Sequence, residues 1–492
     1  MIRNVLLLVL LLQQSLCIAD VNQYFNRIKQ DPNELYTFLK NMPKGGELHF
    51  HLAGSAYPES MLQIAAQHQY CLNTNNWSMT PITEHCDGIP AKKLEQYPDL
   101  YAQTIKAWSM KDFMPGLESG HDHFFASFEK FLPIVVNQDV ELLAEVMQRA
   151  ANQQEQYMEI MILPDNANSM NFQVPEFTMN HLAQAQKQLL ADPAFRKNIN
   201  DTANKVDHTL ENVHQFLGCK KSPQKAACQL TVTFQFYVLR EQPLEKVFAQ
   251  ALTAFETAAK SRDLVGVNLV QPEDGIISLR DYHQQMKIFA FLHQSYPDVA
   301  IALHAGELAP QAVLPDDLRF HIRDAVMTGH AQRIGHGVDI AHEEDAEKLL
   351  RLMKDKHIAV EINLISNKHI LNITGKNHPL RYYLNHNVPV VLSTDDEGVL
   401  RTDLTTQYVT AVTEHDVDYP ALKQINRNAL TFSFLPGKSI WADAGQAVLT
   451  DACKDLNSKR CQRFAASNDK ARLQRQLEIK LASFENQYKN SR

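Results

Sequence analysis

The sequence predicts an α/β protein in which eight parallel strands, alternating with helices, close into a (β/α)8 TIM barrel with long inserted loops and a C-terminal helical extension. Three observations carry this. Eight short β-rich runs recur along the chain. Longer stretches with helical spacing separate them. Polar residues of unusual type stand where several of the runs give way to loops.

The β-like runs occupy residues 47–51, 157–163, 231–240, 264–270, 300–304, 333–336, 358–363 and 388–393. Helix-like segments lie between them at 140–153, 243–261, 278–294, 315–329, 343–356 and 378–387. Two stretches break the alternation, 71–130 after the first strand and 164–230 after the second. Long barrel loops commonly shape the mouth of a site. Residues 437–492 read as a helical extension, so residues 20–492 are expected to form one barrel domain.

The first residues, "MIRNVLLLVLLLQQSLCIAD", have the form of a signal peptide cut after Ala19. The apolar run is too short to span a membrane. The expected location is secreted or periplasmic, with no membrane attachment after cleavage. Cleavage leaves six cysteines in three local couples, Cys71 with Cys86, Cys219 with Cys228 and Cys453 with Cys461. Local pairing is the simplest of the fifteen connectivities; buried free thiols are the alternative. Asn76, Asn200 and Asn372 head glycosylation sequons that matter only in a eukaryotic secretory pathway.

Hydrophobic residues make up 45% and charged residues 21% of the 492-residue chain, enough apolar content for a sizeable core. The formal charge is -8, and no basic stretch resembles a nucleic-acid footprint. A small-molecule ligand is expected, and no nucleic acid. Oligomeric state is not legible.

The chemistry concentrates at strand ends. Strand 1 ends in His49-Phe50-His51, strand 5 in "LHAGE" with His304 and Glu307, strand 6 in "RIGHG" with His336, and strand 8 in "STDDE" with Asp395 and Asp396. Catalytic groups of such barrels sit at the C-terminal ends of strands. The strand period of two puts His49 and His51 on one face, the barrel interior. His49, His51, His304 and Asp395 offer three imidazoles and one carboxylate, a natural set for zinc or a related divalent ion. Glu307, His336 and Asp396 remain for acid–base work around a metal-activated water. Taken singly, each motif has a plain reading: core histidines, a turn with a capping glutamate, a tight glycine turn, an N-cap pair. None of those predicts all four in order.

"MPKGGELHFHLAGS", "HAGE", "RIGHG" and "STDDE" together resemble the ordered signature of the adenosine deaminase family, over roughly residues 42–436. "WSMKDF" and "HDHFFASFEKF" look most similar to the secreted deaminases related to adenosine deaminase growth factors. The resemblance implies a purine nucleoside substrate and one Zn2+ per chain, held by His49, His51, His304 and Asp395. It implies that Glu307 protonates purine N1, that His336 orients and helps deprotonate the water, and that Asp396 hydrogen-bonds the attacking oxygen or N7. Gln271 stands where many relatives have a glycine whose backbone N–H binds N3. Ala53 replaces an acidic residue that faces the ribose in many relatives, and Asn268 replaces an aspartate. These departures are expected to touch recognition and to spare the reaction. About 25 residues separate the cut site from His49, which leaves no room for the growth-factor type's N-terminal dimerisation domain or for receptor binding through it. Alternatives in the same chemistry are adenine or a 6-substituted nucleoside as substrate; a turnover-deficient binding protein is a further one.

Other residues carry weaker expectations. Phe124, Phe125, Phe128 and Phe131 have core spacing. His121 and His123 are expected to be solvated or to stand behind the site. Ser366-Asn367 line the pocket or fix the metal's surroundings, or form a plain turn. Arg240 is expected to be structural.

Overall fold

The computed structural model describes residues 21–488. The expected leader, residues 1–19, lies outside the described residues. Eight strands form one sheet in which all neighbours are parallel. In chain order they are β1 (Glu47–His51), β2 (Tyr157–Ile162), β3 (Thr231–Leu239), β4 (Leu264–Val270), β5 (Ala300–Ala305), β6 (Arg333–His336), β7 (Ala359–Ile362) and β8 (Val390–Leu392). The sheet closes through Asp395, just beyond β8, which bridges Phe50 of β1. His51 N–H donates to the Asp395 carbonyl at 2.9 Å, and Asp395 N–H donates to the His49 carbonyl at 3.2 Å.

The strands form where the sequence is apolar on both faces, because helices cover the outside and side chains fill the inside. Every residue of β6, β7 and β8 is buried. The helices that return the chain bury apolar stripes: Leu349, Leu350 and Met353 in Ala346–Asp355, and Leu142, Leu143, Val146 and Met147 in Asp139–Asn152. The helix expected over 315–329 begins only at His321. A 3-10 turn, Asp317–Arg319, precedes it, and its first amides are capped from a distance by Glu343, which accepts from Ile322 N–H at 2.6 Å and Arg323 N–H at 3.2 Å.

Both breaks in the alternation are folded units. In the first, Tyr70–Leu72 pairs antiparallel with Met79–Pro81 and Ile89–Pro90, and the helix Gly120–Asn137 follows. Phe124 and Phe131 enter the core while Phe125 and Phe128 pack at its edge. In the second, Leu182–Ala191 and the long helix Pro193–Phe216 cover the barrel wall beside Asp139–Asn152 and Leu244–Ala258. The extension departs from the all-helical expectation. It opens with an antiparallel pair, Trp441–Asp443 with Val448–Leu449, because Asp443 accepts Gln446 N–H at 3.0 Å and closes the turn. The helices Lys459–Ala466 and Asp469–Asn486 come after it. No helix of the described residues is long and apolar enough to cross a membrane.

The six cysteines pair locally, Cys71–Cys86, Cys219–Cys228 and Cys453–Cys461. Cys453 and Cys461 belong to a small second core with Ile440, Trp441 and Ala471, so that bridge staples the extension to itself. A Cys453→Ser/Cys461→Ser double variant is expected to lose about 2 kcal/mol from the extension. Limited proteolysis would then cut within 437–488 first. Equal protease resistance in both proteins would show that the bridge is dispensable.

Candidate active site

β1 delivers His49 and His51 to the barrel interior, and β5 delivers His304 beside them. His51 Nε2 lies 3.2 Å from His304 Nε2 and 3.2 Å from Asp395 Oδ1, and His49 Nε2 lies 3.3 Å from the same oxygen. One ligand atom from each of the four residues falls within 4.8 Å of the others. The outer nitrogens are engaged elsewhere. His49 Nδ1 is 2.7 Å from Glu361 Oε2, and His304 Nδ1 is 2.9 Å from Asn268 Oδ1. Both partners are acceptors, so each ring turns an N–H outward and its Nε2 toward the cluster, that of His49 against Asp395 Oδ1 and that of His304 against His51 Nε2. Burial, reinforced by His49 and His51, holds the His304 pKa well below its usual value, which keeps it a neutral ligand. Lone pairs aimed at one another cannot hydrogen-bond. A divalent cation between them satisfies the set.

Small residues let this cluster assemble. Any side chain at Gly335 would meet the His49 ring, its Cβ 2.6 Å from Cε1. A Cβ at Gly54, in the turn after β1, would overlap the Asp396 carboxyl. His336 (φ 66°) and Asp395 (φ 68°) adopt left-handed backbone that non-glycine residues avoid, and this aims both side chains into the site.

The three remaining polar groups surround that centre. Glu307 Oε1 lies 3.4 Å from His336 Nδ1, and His336 Nε2 lies 3.9 Å from Asp395 Oδ2. Burial, then the charges of Asp395 and Glu273, push the Glu307 pKa well above the carboxylate range, which favours its protonated form. Burial and Asp395 do the same to Asp396. Burial pulls His336 down to about 3. Among the described residues, His49 Nε2, His336 Nε2, Glu307 Oε1 and Asp396 Oδ1 are buried with no hydrogen-bond partner. Four such atoms around one point mark the place of a cation and a polar substrate.

Several supporting residues carry no motif. Glu273, after β4, accepts from Gly306 N–H and Glu307 N–H, both at 2.9 Å, and pairs with His321 Nδ1 at 2.5 Å. It therefore holds the backbone that presents Glu307. Ser366 donates to Asp395 Oδ2 at 2.7 Å, and Asn367 Nδ2 lies 2.9 Å from His336 Nδ1, so this pair serves the site and is more than a turn. Asn268 was expected to bear on recognition. It stands under His304 instead, its orientation fixed by Nδ2 donating to Gln235 Oε1 at 3.1 Å. Gln271 takes the glycine-like φ of 85°, and its side chain folds back to accept Glu241 N–H at 2.9 Å. Arg240 is structural, donating to the Leu269 and His304 carbonyls at 2.8 and 3.0 Å. A cavity of about 630 Å³ is lined by Phe113, His121, Asp274, Ala309, Lys368 and Asn372 among others, and by none of the seven residues of the cluster. His121 straps it by contacting Asp274 at 3.1 Å and Asp122 at 3.0 Å. His123 stands behind that strap, 3.1 Å from the Lys106 carbonyl.

The adenosine deaminase family model matches residues 111–442. The chain belongs to the adenosine deaminase family. That match begins after β1, so the His49–His51 geometry adds to it independently. The chain is 26% identical over 420 residues to an aminodeoxyfutalosine deaminase of Streptomyces coelicolor, covering 84% of this chain and 86% of that protein. It is 23% identical over 412 residues to an adenosine deaminase of Clostridium kluyveri, covering 82% and 93%. Among solved structures, Arabidopsis ADAL complexed with GMP superposes with a TM-score of 0.53 at 18% identity, covering 88% and 99%. That likeness establishes the shared barrel.

Two expectations follow for this family member. Gly54→Ala should displace Asp396 and cut turnover while the fold persists. Unchanged kinetics would show that the turn relaxes freely. Glu273 is held at about 2: burial alone would raise it, but the hydrogen bond and charge of His321, then Arg240, outweigh burial. Its stabilisation is therefore complete above its unfolded value near 4.5 and is lost as the pH falls toward 2. The thermal-midpoint gap between the parent protein and Glu273→Gln should shrink as the pH drops from 5 to 3. A constant gap would contradict the assignment.

Proposed function

We propose that the chain deaminates adenosine, and 2'-deoxyadenosine, to the inosine product and ammonia, with one zinc ion per chain. The observation that carries this is a buried Glu307, 3.4 Å from His336, beside a cluster of three imidazoles and one carboxylate fit to hold a cation. That donor set favours zinc among common divalent ions. The cation supplies Lewis-acid activation of a water molecule. Glu307 gives its proton to purine N1, which makes C6 electrophilic. Asp396, protonated by burial, donates to N7. His336 holds the attacking oxygen against C6. Water adds with one proton lost to solvent, its remaining proton passes to the 6-amino group, which leaves as ammonia, and Glu307 regains its proton from solvent, leaving a 6-oxopurine.

A second reading, a 6-aminopurine nucleoside altered at its sugar end, is favoured by Ala53, which cannot contact a ribose hydroxyl as an acidic residue would. The S. coelicolor relative, named for aminodeoxyfutalosine, points the same way.

We also propose that the chain is exported. The three disulfides fit an oxidising compartment, and the first residues fit a leader. An intact mass beginning at Asp20 is the expected result, and a retained leader would refute it.

Ammonia release from adenosine, 2'-deoxyadenosine, adenine, AMP and 5'-substituted adenosines, with and without chelator, tests the substrate. Adenosine turnover that chelation abolishes is expected. Turnover of adenine alone would overturn the nucleoside reading. Glu307→Gln should lose about 10²-fold or more in kcat with metal content near one per chain. A fully active variant would remove Glu307 from its role.

A further inference from the structure

We propose that His378 and Asn367 form a positioning relay that places the His336 proton on Nε2, so that His336 meets the attacking oxygen as a hydrogen-bond donor and not as its base. The inference rests on the deaminase reading for its catalytic meaning, but the relay itself stands on geometry.

The relay starts at a group with one possible role. Leu380 N–H can only donate, and it lies 3.2 Å from His378 Nδ1. Nδ1 therefore accepts, and the proton of neutral His378 is on Nε2. That nitrogen is 3.0 Å from Asn367 Oδ1, so the carboxamide is oriented with oxygen toward His378 and Nδ2 toward the site. Asn367 Nδ2 then donates to His336 Nδ1 at 2.9 Å. Nδ1 of His336 carries no proton, which leaves it on Nε2, facing Asp395.

The surroundings agree. His336, Asn367 and His378 are all buried, so water does not compete for these bonds. A second amide, Asn363 Nδ2, lies 3.5 Å from the same Nδ1. Glu307 Oε1, the remaining neighbour of Nδ1 at 3.4 Å, makes no hydrogen bond to it. For His336 to serve as a base through Nε2, Nδ1 would need a proton aimed at the Asn367 amide hydrogens. A divalent cation held by the cluster would lower the pKa of the water toward neutrality, so its proton can pass to solvent and His336 need not take it.

His378 lies outside every motif the reaction needs, and it touches no reacting atom. It acts through Asn367 alone. A role confined to tying the helix Leu364–Leu371 to the following loop would leave the His336 tautomer untouched.

The test is two-bond proton–nitrogen NMR on 15N-histidine-labelled, zinc-loaded protein, with His336 assigned from the His336→Gln spectrum. A lone-pair Nδ1 and a proton-bearing Nε2 at His336 are expected. A proton on Nδ1 would overturn the relay. His378→Leu should lower kcat about 10- to 100-fold with KM and metal content nearly unchanged. His378→Gln, whose amide can still donate to Asn367, should recover most of the loss. Equal activity in the two variants would refute a positioning role. If His378→Leu does not fold, the spectrum of the parent protein still decides. Failure of the substrate panel with the expected spectrum would remove the proposed substrate and leave the relay standing.

Discussion

The buried guanidinium of Arg333 sets the polarity of the metal site. It donates through Nε to Glu361 Oε1 at 2.5 Å, also donates to Glu159, and lies 3.7 Å over the Phe434 ring. Arginine stays charged and offers only donors, so both carboxyl groups accept from it. Two chains of hydrogen bonds leave from them. Glu361 receives His49 Nδ1–H. Glu159 receives Gln235 Nε2–H at 2.9 Å, which turns Gln235 oxygen to Asn268 Nδ2, which turns Asn268 oxygen to His304 Nδ1–H. Both chains end with an imidazole lone pair directed inward. Removing one partner from such a buried network costs several kcal/mol, because the others keep their charge or orientation with nothing to meet. His336 belongs to a separate chain that begins at a backbone N–H, and it ends with the opposite polarity. The barrel thus presents lone pairs to a cation and an N–H to an oxygen using the same residue type.

Closure of the barrel and formation of the site are one event. Asp395 exchanges backbone hydrogen bonds with β1 and contributes its carboxylate to the same cluster as the two β1 histidines. Its left-handed φ costs on the order of 1–3 kcal/mol. The closing bonds, Ser366 and a cation all favour that conformation, so the strain is sustained by both the fold and the ligand. Metal affinity and barrel stability are accordingly linked.

The sequence made the barrel legible because its two periods are strong: short doubly buried runs for strands and apolar stripes for helices. It also showed the inward groups, since His49, His51, His304, Glu307, His336, Asp395 and Asp396 stand at strand ends within compact motifs. What it hid were groups whose meaning depends on a distant partner. Glu273, Glu361 and Arg333 read as ordinary charged residues until the fold places each against a site residue. Asn268 looked like a change in recognition because it stands where many relatives have aspartate; its side chain meets His304 Nδ1 instead. The antiparallel pair that opens the extension was hidden because two- and three-residue strands carry no periodicity.

Recognition is left to loops, where the barrel imposes little. Ala53 stands in the single turn after β1, and Tyr237 of β3 brings its ring 6.2 Å from that of His51. Burial, then the charge of Asp396, raises the Tyr237 pKa, so it presents a neutral hydroxyl. Under the proposed function, an alanine at position 53 would leave the sugar to neutral hydrogen bonds and shape, without the charged contact an acidic residue would make. Hydrogen bonds to charged groups are worth roughly twice neutral ones. A site built this way would discriminate weakly among sugars and strongly at the purine, where Glu307 and Asp396 would each offer a proton to a ring nitrogen. On that reading the reaction is carried by the strand ends, and the breadth of accepted nucleosides is left to the loops around them.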